Sequence, residues 1–250
     1  MSNKKIISIR ELSFFYKQKE VFNNLSLDIE KDSWTTIIGN NGSGKTTLAQ
    51  LLIGNLTYTG QILINNSDAK KNKNNQIKLI STDLLKNGDI NIDLKNEQTQ
   101  KLIDEMGIKR LIQKNFIDLN NSEKTLIYLI KILTENPKII LLDNILDEIE
   151  YKYKNKIIKV LIKQQKQGTT IVNLSQNMED ILLGDDVIII GNGKVELSGN
   201  ILDIISDENK IKKLGLNLPF VIDLSNKLKY YGMVDKLYFN EKELIDAIWK

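Results

Sequence analysis

The sequence contains no cysteine and no histidine. Without cysteine the chain has no disulfide and no thiolate chemistry, which agrees with a reducing compartment. Without histidine it has no imidazole base and no imidazole metal ligand. A mechanism that needs either group cannot be carried out by this chain alone.

A long hydrophobic run is also absent. No stretch approaches the roughly 18 consecutive apolar residues that a membrane-spanning helix needs. The first residues lead into a short strand-like run and do not resemble a signal peptide. We therefore expect a soluble protein in the cytosol or at the cytoplasmic face of the membrane.

Charge of one sign is not in excess, since 35 basic and 32 acidic residues leave a net charge of +3. This balance does not predict nucleic-acid binding. The chain has 250 residues, of which 41% are hydrophobic. That is enough to bury a substantial core as one domain, or as one domain with a small appendage.

A glycine-rich segment follows directly after the apolar residues 34–38. Its pattern, G-x-x-x-x-G-K-T between a strand and a helix, binds nucleotide phosphates. The glycines let backbone N–H groups turn toward the phosphates, Lys45 reaches the outer phosphates, and the Thr46 hydroxyl can hold Mg²⁺. The alternative is a glycine-rich turn that binds nothing. The predicted phosphate-loop residues are Gly39, Asn40, Asn41, Gly42, Ser43, Gly44, Lys45, Thr46 and Thr47.

The hydrophobic pattern predicts an α/β fold with an antiparallel front end, because alternating strands come first and short continuous apolar strands alternate with helices later. The expected strands are at residues 6–10, 12–16, 21–29, 35–38, 61–64, 77–81, 139–142, 169–174 and 187–190. The expected helices are at residues 46–53, within 95–134, at 157–165, and in a tail where Pro219 and Asn240 open one helix each.

A polar tract rich in lysine and asparagine occupies residues 68–76. It is typical of a solvated loop, and a nucleic-acid patch is the alternative. Asp143 ends the apolar run at residues 139–142. In a chain with a phosphate loop such an aspartate can position Mg²⁺, whereas the simpler alternative is a strand-end residue that caps the next turn.

The order of these motifs resembles the nucleotide-binding domain of ABC transporters. The resemblance rests on the phosphate loop, the segment Leu119-Asn120-Asn121-Ser122-Glu123 at the start of a helix, Glu135-Asn136-Pro137-Lys138, and the Asp143 strand, and it covers about residues 6–205. It implies a P-loop NTPase fold of the ABC type: a parallel core sheet, an antiparallel β subdomain and a helical subdomain. The expected domains are residues 1–206, with the helical subdomain at about 83–135, and a small helical C-terminal domain at 207–250.

The tail resembles the small C-terminal domain of energy-coupling factor ATPases. This implies an ATP- and Mg²⁺-binding subunit of a vitamin or metal-ion importer, located peripherally on the cytoplasmic face of the membrane. The implied partners are a second ABC ATPase subunit, a membrane scaffold (T component) and a substrate-binding S component, with no nucleic acid.

The family's adenine-stacking position falls at Tyr16. A strand-end tyrosine can stack on a base, and it can equally belong to one packed strand face with Leu12 and Phe14. Both possibilities remain open at the sequence level.

The departures from the family pattern concern catalysis. Asn144 occupies the position of the glutamate that activates water, and Gln176 occupies the position of the switch histidine. An amide can orient water but cannot accept its proton. The glutamine-loop position falls near Thr82, and the following stretch to residue 94 is short. This departs from the family at two features, the Mg²⁺ contact of that loop and the groove for a membrane subunit.

The signature segment, residues 119–123, stands where the family has Leu-Ser-Gly-Gly-Gln. Asn120, Asn121, Ser122 and Glu123 are the residues that would face a partner's ATP. Side chains at Asn121 and Ser122 are expected to obstruct close backbone approach, and Glu123 to place a negative charge near phosphate. Glu150 also replaces the family's D-loop aspartate.

ABC domains pair head to tail around two ATP molecules, so a homodimer of this chain would have two degenerate sites. The resemblance therefore implies a heterodimer with a more intact ATPase, in which this chain's own site hydrolyses poorly. One alternative is an ATP-dependent regulatory or assembly partner that does not drive transport. Another is a soluble ABC-type translation or DNA-repair factor, which would carry tandem phosphate loops or a long coiled-coil insertion.

Overall fold

The structure is a computed structural model that describes residues 4–70, 76–82 and 92–249. The strands in these ranges form a four-stranded and a six-stranded sheet. They are β1 (Lys5–Tyr16), β2 (Lys19–Glu30), β3 (Trp34–Ile38), β4 (Thr59–Ile64), β5 (Ser67–Asp68), β6 (Ile77–Ser81), β7 (Ile139–Asp143), β8 (Thr170–Ser175), β9 (Asp186–Gly191) and β10 (Lys194–Gly199).

Helices pack on both faces of the larger sheet and make up most of the tail. They are α1 (Lys45–Leu52), α2 (Glu97–Met106), α3 (Asn121–Thr134), α4 (Ile145–Glu148), α5 (Tyr151–Lys166), α6 (Ile201–Ser206), α7 (Glu208–Lys213), α8 (Phe220–Tyr230) and α9 (Glu241–Ile248). Two 3-10 segments, Phe116–Asp118 and Met178–Leu183, connect them. None of the helices in the described ranges has the length and apolarity needed to cross a bilayer.

The smaller sheet has the order β2-β1-β4-β5, and its strands are antiparallel. The two predicted runs at residues 6–10 and 12–16 join into the single strand β1. The register with β2 shifts between Ile9 and Leu12, where Glu11 adopts a positive φ of 50°. The alternating apolar residues of β1 remain on the buried face despite this irregularity.

The larger sheet has the order β10-β9-β3-β8-β7-β6, in which β9, β3, β8, β7 and β6 are parallel and β10 is antiparallel to β9. Ile38 at the end of β3 pairs with Ser175 at the end of β8, and Asp143 at the end of β7 pairs with Leu174. The carboxyl ends of the three strands therefore meet at one edge, where ligands bind in open α/β sheets.

The packing of β7 on both faces explains why residues 139–142 are all apolar. Ile139 and Leu141 pack in a cluster shared with β1, β2 and α1. Ile140 and Leu142 pack on the opposite face with α2, α3 and α5. Because both faces of the sheet are covered here, residues 139–142 are apolar on both sides of the strand. The α/β class with an antiparallel front end, predicted from the sequence, is confirmed.

The tail shares a hydrophobic cluster with the larger sheet. Ile38, Val187 and Ile189 pack with buried residues of α6, α7, α8 and α9. Next to the expected boundary between residues 206 and 207, Asp207 ends α6 and caps α7. Side chains on both sides of that boundary belong to the same cluster.

Several sequence expectations differ from the structure in detail. Strand β10 was not predicted, α5 begins at Tyr151 before the expected residue 157, and the region 95–134 contains two helices separated by residues 107–120. The expectations for the polar tract fall partly on residues 71–75, and those for the short stretch after Thr82 fall largely on residues 83–91. Both segments lie outside the described residues, as does the start of the expected helical subdomain.

Candidate functional site

A cavity of about 820 Å³ opens where the phosphate loop leaves β3. Five parts of the chain line it: the β1–β2 hairpin near Tyr16, the phosphate loop, Asn144 after β7, the turn between β9 and β10, and the end of α7 with the residues that follow. The cavity is large enough for a nucleotide-sized ligand. The predicted phosphate loop is thus part of a real concave site.

The backbone of the phosphate loop depends on glycine at Gly44. Its φ is 101°, and a Cβ atom there would approach the Phe22 ring to 2.7 Å. Gly44 is also the N-cap of α1 and offers no side-chain cap. The first N–H groups of α1 are therefore available to an anion, and the helix dipole favours negative charge at this end.

Lys45 is the first residue of α1, and its side chain is buried, with 5% exposed. Its Nζ donates hydrogen bonds to the carbonyl oxygens of Gly39 at 2.6 Å and Asn40 at 3.2 Å. Burial lowers the pKa of the Lys45 ammonium, and the nearby Asp143 acts in the opposite direction. A phosphate entering the loop would give this cation a stronger acceptor than the two neutral carbonyls.

Asp143 ends β7 and is buried, with 5% exposed, and Thr46 is exposed at the start of α1. A hydroxyl and a carboxylate are hard oxygen donors, and Mg²⁺ typically binds through one or two such groups together with substrate phosphates and water. The Oδ1 atom of Asn144, beside Asp143, is buried without a hydrogen-bond partner among the described residues. The donor set at this position therefore fits Mg²⁺ held jointly with a nucleotide.

Asn144 adopts a left-handed conformation, with φ 53° and ψ 29°. Its backbone N–H donates to the Leu174 carbonyl at 2.9 Å, and its Nδ2 donates to Asp143 Oδ1 at 3.3 Å. Asn144 is one of the residues that line the cavity. The structure thus brings Asn144 to the site, where it presents an amide in place of a carboxylate.

Gln176 follows β8 and is exposed, and it does not belong to the described wall of the cavity. The adjacent Asn177 donates from Nδ2 to Asp147 Oδ1 at 3.1 Å, which ties this loop to α4. Beneath the loop, Asn173 Nδ2 donates to the buried Asp180 at 3.1 Å. Burial raises the pKa of Asp180, a residue that sequence reasoning missed.

Tyr16 is half-exposed and lines the cavity. Its ring also meets Phe14 edge to face, with centroids 4.8 Å apart and an angle of 88° between the rings. Tyr16 therefore packs on its own strand and borders the site, while its stacking on a base stays a prediction.

The signature segment begins α3 with a capping box. Asn120 accepts the Glu123 N–H at 2.8 Å, and Glu123 Oε2 accepts the Asn120 N–H at 3.0 Å. Asn120 Nδ2 donates to Glu150 Oε1 at 2.9 Å, and the Glu150 N–H donates to Ser122 Oγ at 2.9 Å. The segment is therefore bonded to itself and to the start of α5.

The orientation of two signature side chains corrects the sequence expectation. Ser122 and Glu123 are each 7% exposed, so they point into the chain. Lys114 Nζ donates to Glu123 Oε1 at 2.8 Å, and this bond, together with the one from the Asn120 N–H, holds the pKa of Glu123 below its usual range. The charge expected to face a partner's phosphate is paired inside the chain, while Asn120 and Asn121 are exposed.

Two of the five parts of the chain that line the cavity were not anticipated. Gly191-Asn192-Gly193-Lys194 forms the β9–β10 turn, and its glycine and asparagine content is a turn signal that could have pointed to it. Lys213, Leu214 and Leu216 carry no comparable signal, because their position depends on how the tail packs.

Comparison with known proteins gives a consistent result. Residues 22–147, half of the chain, match the family described as ABC transporter. The chain is 27% identical over 271 residues to the energy-coupling factor transporter ATP-binding protein EcfA1 of Ureaplasma parvum serovar 3, and the match covers 98% of this chain and 91% of that protein.

Solved structures show the same fold. CbiO1 from Clostridium perfringens, part of the ABC transporter complex cbiONQ, superposes with a TM-score of 0.67 at 23% identity and covers 89% of this chain and 99% of that one. A bacterial Atm1-family ABC exporter with ATP bound gives a TM-score of 0.72 at 16% identity and covers 86% of this chain. This chain corresponds to 42% of the exporter chain.

Proposed function

Because the chain belongs to the ABC transporter family, we propose that it is an ATP-binding subunit of an energy-coupling factor importer for vitamins or metal ions. The observation that carries the proposal is the phosphate loop itself. An uncapped helix N-terminus, the buried Lys45 and the strand-end Asp143 lie together at the carboxyl edge of the sheet. The similarity to full-length proteins named as energy-coupling factor ATP-binding subunits supports the importer assignment.

In the proposed site, residues 39–47 hold the phosphates of ATP, and Tyr16 stacks on the base. Thr46 and Asp143 would hold Mg²⁺ together with the phosphates. Mg²⁺ supplies neutralisation of charge on the phosphate oxygens when it is bound. The chain's own contribution is to position the nucleotide. It also buries Lys45, so that water screens the attraction between its charge and the phosphates less than at an exposed site.

We propose that this site hydrolyses ATP slowly. Asn144 occupies the place next to Asp143 where a carboxylate would accept a proton from water. An amide oxygen orients water but does not take the proton, and losing a positioned base costs about 10²–10⁴ in rate. Gln176, which follows β8 and is exposed, also carries an amide, so it does not compensate for the missing base.

The proposed assembly is a heterodimer with a second, more intact ABC ATPase, held on the cytoplasmic face of the membrane by a T component and a substrate-binding S component. Residues 207–250 would form the small C-terminal domain of this subunit. The exposed Asn120 and Asn121 would face the partner's ATP through their side chains and backbone. ATP bound here would then act chiefly to hold the dimer closed.

The test is steady-state phosphate release from the chain alone and from the complex that it forms with a second ATPase and a membrane subunit. We expect turnover near background for the chain alone. In the complex, replacing the partner's Walker B glutamate by glutamine should stop turnover, while Asn144→Ala should change it by less than about twofold. Brisk turnover by the chain alone, or a dispensable partner glutamate, would contradict the proposed division of labour.

A regulatory or assembly role without transport is the alternative function. It predicts that the chain binds Mg-ATP but that its Lys45→Ala variant leaves substrate uptake by the assembled importer unchanged. Uptake into proteoliposomes, measured with wild-type and Lys45→Ala subunits, separates the two roles.

A further inference from the structure

The end of α7 and the residues after it form a wall of the nucleotide cavity, although they lie about 170 positions beyond the phosphate loop in the sequence. Lys213, Leu214 and Leu216 line the same space as residues 40–47. Leu216 is buried in the cluster that joins the tail to the sheet. The position of this wall is therefore fixed by packing.

A direct bond connects this segment to the phosphate loop. Asn40 Nδ2 donates to the Leu214 carbonyl at 2.7 Å. The Asn40 carbonyl in turn accepts from Lys45 Nζ at 3.2 Å. Leu214 is thus bonded to the residue whose carbonyl accepts from Lys45, the lysine expected to reach the outer phosphates.

Gly215 permits the close approach. Its φ is 72°, a conformation that favours glycine, and a Cβ atom there would lie 3.3 Å from Asn40 Nδ2. The chain can leave α7 and turn directly against the phosphate loop because this residue has no side chain.

The charges of the last turn of α7 also indicate a binding role for this segment. Lys210 and Lys212 have acidic partners, Glu196 at 3.9 Å and Glu208 at 2.5 Å. Lys213 lines the cavity and has no ion-pair partner within the described residues. With Lys19, Lys45 and Lys194 it makes four lysines among the described lining residues, against the single acid Glu20. Such a wall attracts a polyanion.

We propose that residues 213–216 are part of the nucleotide site, in which Lys213 contacts the outer phosphates of ATP and the Asn40–Leu214 bond holds the segment in place. The inference rests on the proposed binding of ATP by this chain. It assigns to the tail a role in nucleotide affinity that the phosphate-loop motif does not contain.

The experiment is a set of titrations of the full-length chain with Mg-ATP, monitored by calorimetry, for wild type, Lys213→Ala, Lys213→Arg and Lys212→Ala. Lys212 is the matched control, since it is the same residue type one position earlier but pairs with Glu208 outside the cavity. We expect Lys213→Ala to weaken binding about threefold to tenfold, because it removes one solvent-accessible charge contact. Lys213→Arg and Lys212→Ala should stay within about twofold of wild type.

Hydrogen exchange provides a second measurement that does not depend on a substitution. Addition of Mg-ATP to the wild-type chain should slow exchange in peptides that contain residues 214–216, because the nucleotide then fills the cavity beside them. Equal affinities of the Lys213→Ala and Lys212→Ala proteins, with no added protection at residues 214–216, would overturn the inference while wild-type binding stands. Failure of the wild-type chain to bind Mg-ATP would instead overturn the proposed function, and this inference with it.

Discussion

Two helices of this chain begin in opposite ways. Helix α1 starts at Gly44 with no side-chain cap, so its first N–H groups await a ligand. Helix α3 starts with a complete capping box, in which Asn120 and Glu123 satisfy each other's backbone groups. The N-terminal N–H groups of α1 are left without side-chain acceptors, so they can bind an anion. Those of α3 are bonded by the chain's own side chains, so they contribute to the stability of the fold.

The difference extends to the charges. At α1 the buried Lys45 interacts with backbone carbonyls that a phosphate can replace. At the signature segment the charge of Glu123 is already paired with Lys114. Lys45 therefore forms a stronger contact when a phosphate binds, whereas Glu123 already has its opposite charge and gains no stabilisation from another charged group.

Among the substitutions that test this difference, removal of the Lys45 side chain should have the largest effect, and the effect is on the affinity for Mg-ATP. Lys45→Ala should weaken Mg-ATP binding roughly 100-fold, because a charge-assisted contact in a buried position is lost. Calorimetry measures the change, with Lys31→Ala as a control at a lysine that is paired with Asp32 on the surface. Equal affinity in wild type and Lys45→Ala would mean that the open helix start is not the binding site.

The next effect concerns Asp143. Asp143→Asn should weaken Mg-ATP binding about tenfold, because a carboxylate that can help to hold Mg²⁺ becomes a weaker neutral ligand. In EDTA the same variant should bind ATP at least as tightly as wild type, since a negative charge has been removed from the site. A loss of affinity that is equal with and without Mg²⁺ would show that Asp143 acts on structure and not on the metal.

A smaller effect tests the closed helix start. Glu123→Gln should lower the free energy of unfolding by about 1 kcal/mol at pH 7, because the ion pair with Lys114 is lost while the capping geometry is retained. The folded state lowers the pKa of Glu123, so its contribution is present above the ordinary glutamate range and disappears as pH falls through the lowered pKa. Urea unfolding at pH 7 and about pH 3 measures the difference.

The control for this prediction is Glu97→Gln. Glu97 lies in the first turn of α2 and is exposed, so it interacts with the helix N-terminus without the pairing that Glu123 makes. Its substitution should cost only a few tenths of a kcal/mol. If the two substitutions have the same effect at pH 7, the Lys114 contact does not contribute to stability.

The smallest expected effect is on hydrolysis. Asn144→Glu should leave turnover by the isolated chain near background, because one restored acceptor does not supply the switch residue or an opposing signature segment. Phosphate release measures the rate, and Asn144→Gln, which changes length without adding a base, is the matched control. A gain of more than about tenfold over the glutamine variant would show that the base was the main deficiency.

Much of the fold was predictable because its signals are local. The run at residues 139–142, the phosphate loop and the helix start at Asn240 each carry their own periodicity, glycine spacing or cap. Strand β10 was missed although residues 194–198 alternate between polar and apolar, because the run has only two apolar residues and both are only partly buried.

The site was predictable only where a motif carries it. Lys45 and Asp143 belong to short patterns with known geometry, so their positions followed from the sequence. The direction of the Glu123 side chain did not, because it depends on Lys114, nine residues earlier across a turn. The place of Lys213 in the cavity wall depends on tail packing, for which no local signal exists.

The position of β3 between β8 and β9 has a consequence for synthesis. The hairpin β1–β2 can pair as soon as it leaves the ribosome, whereas Asp32 beside β3 bonds to Thr170, 138 residues later. At about 5–20 residues per second, that interval is on the order of ten seconds. During it the apolar strand Trp34–Ile38 has no neighbour on either side. A nascent chain that stops before residue 170 therefore carries the complete phosphate-loop sequence without the sheet that supports it.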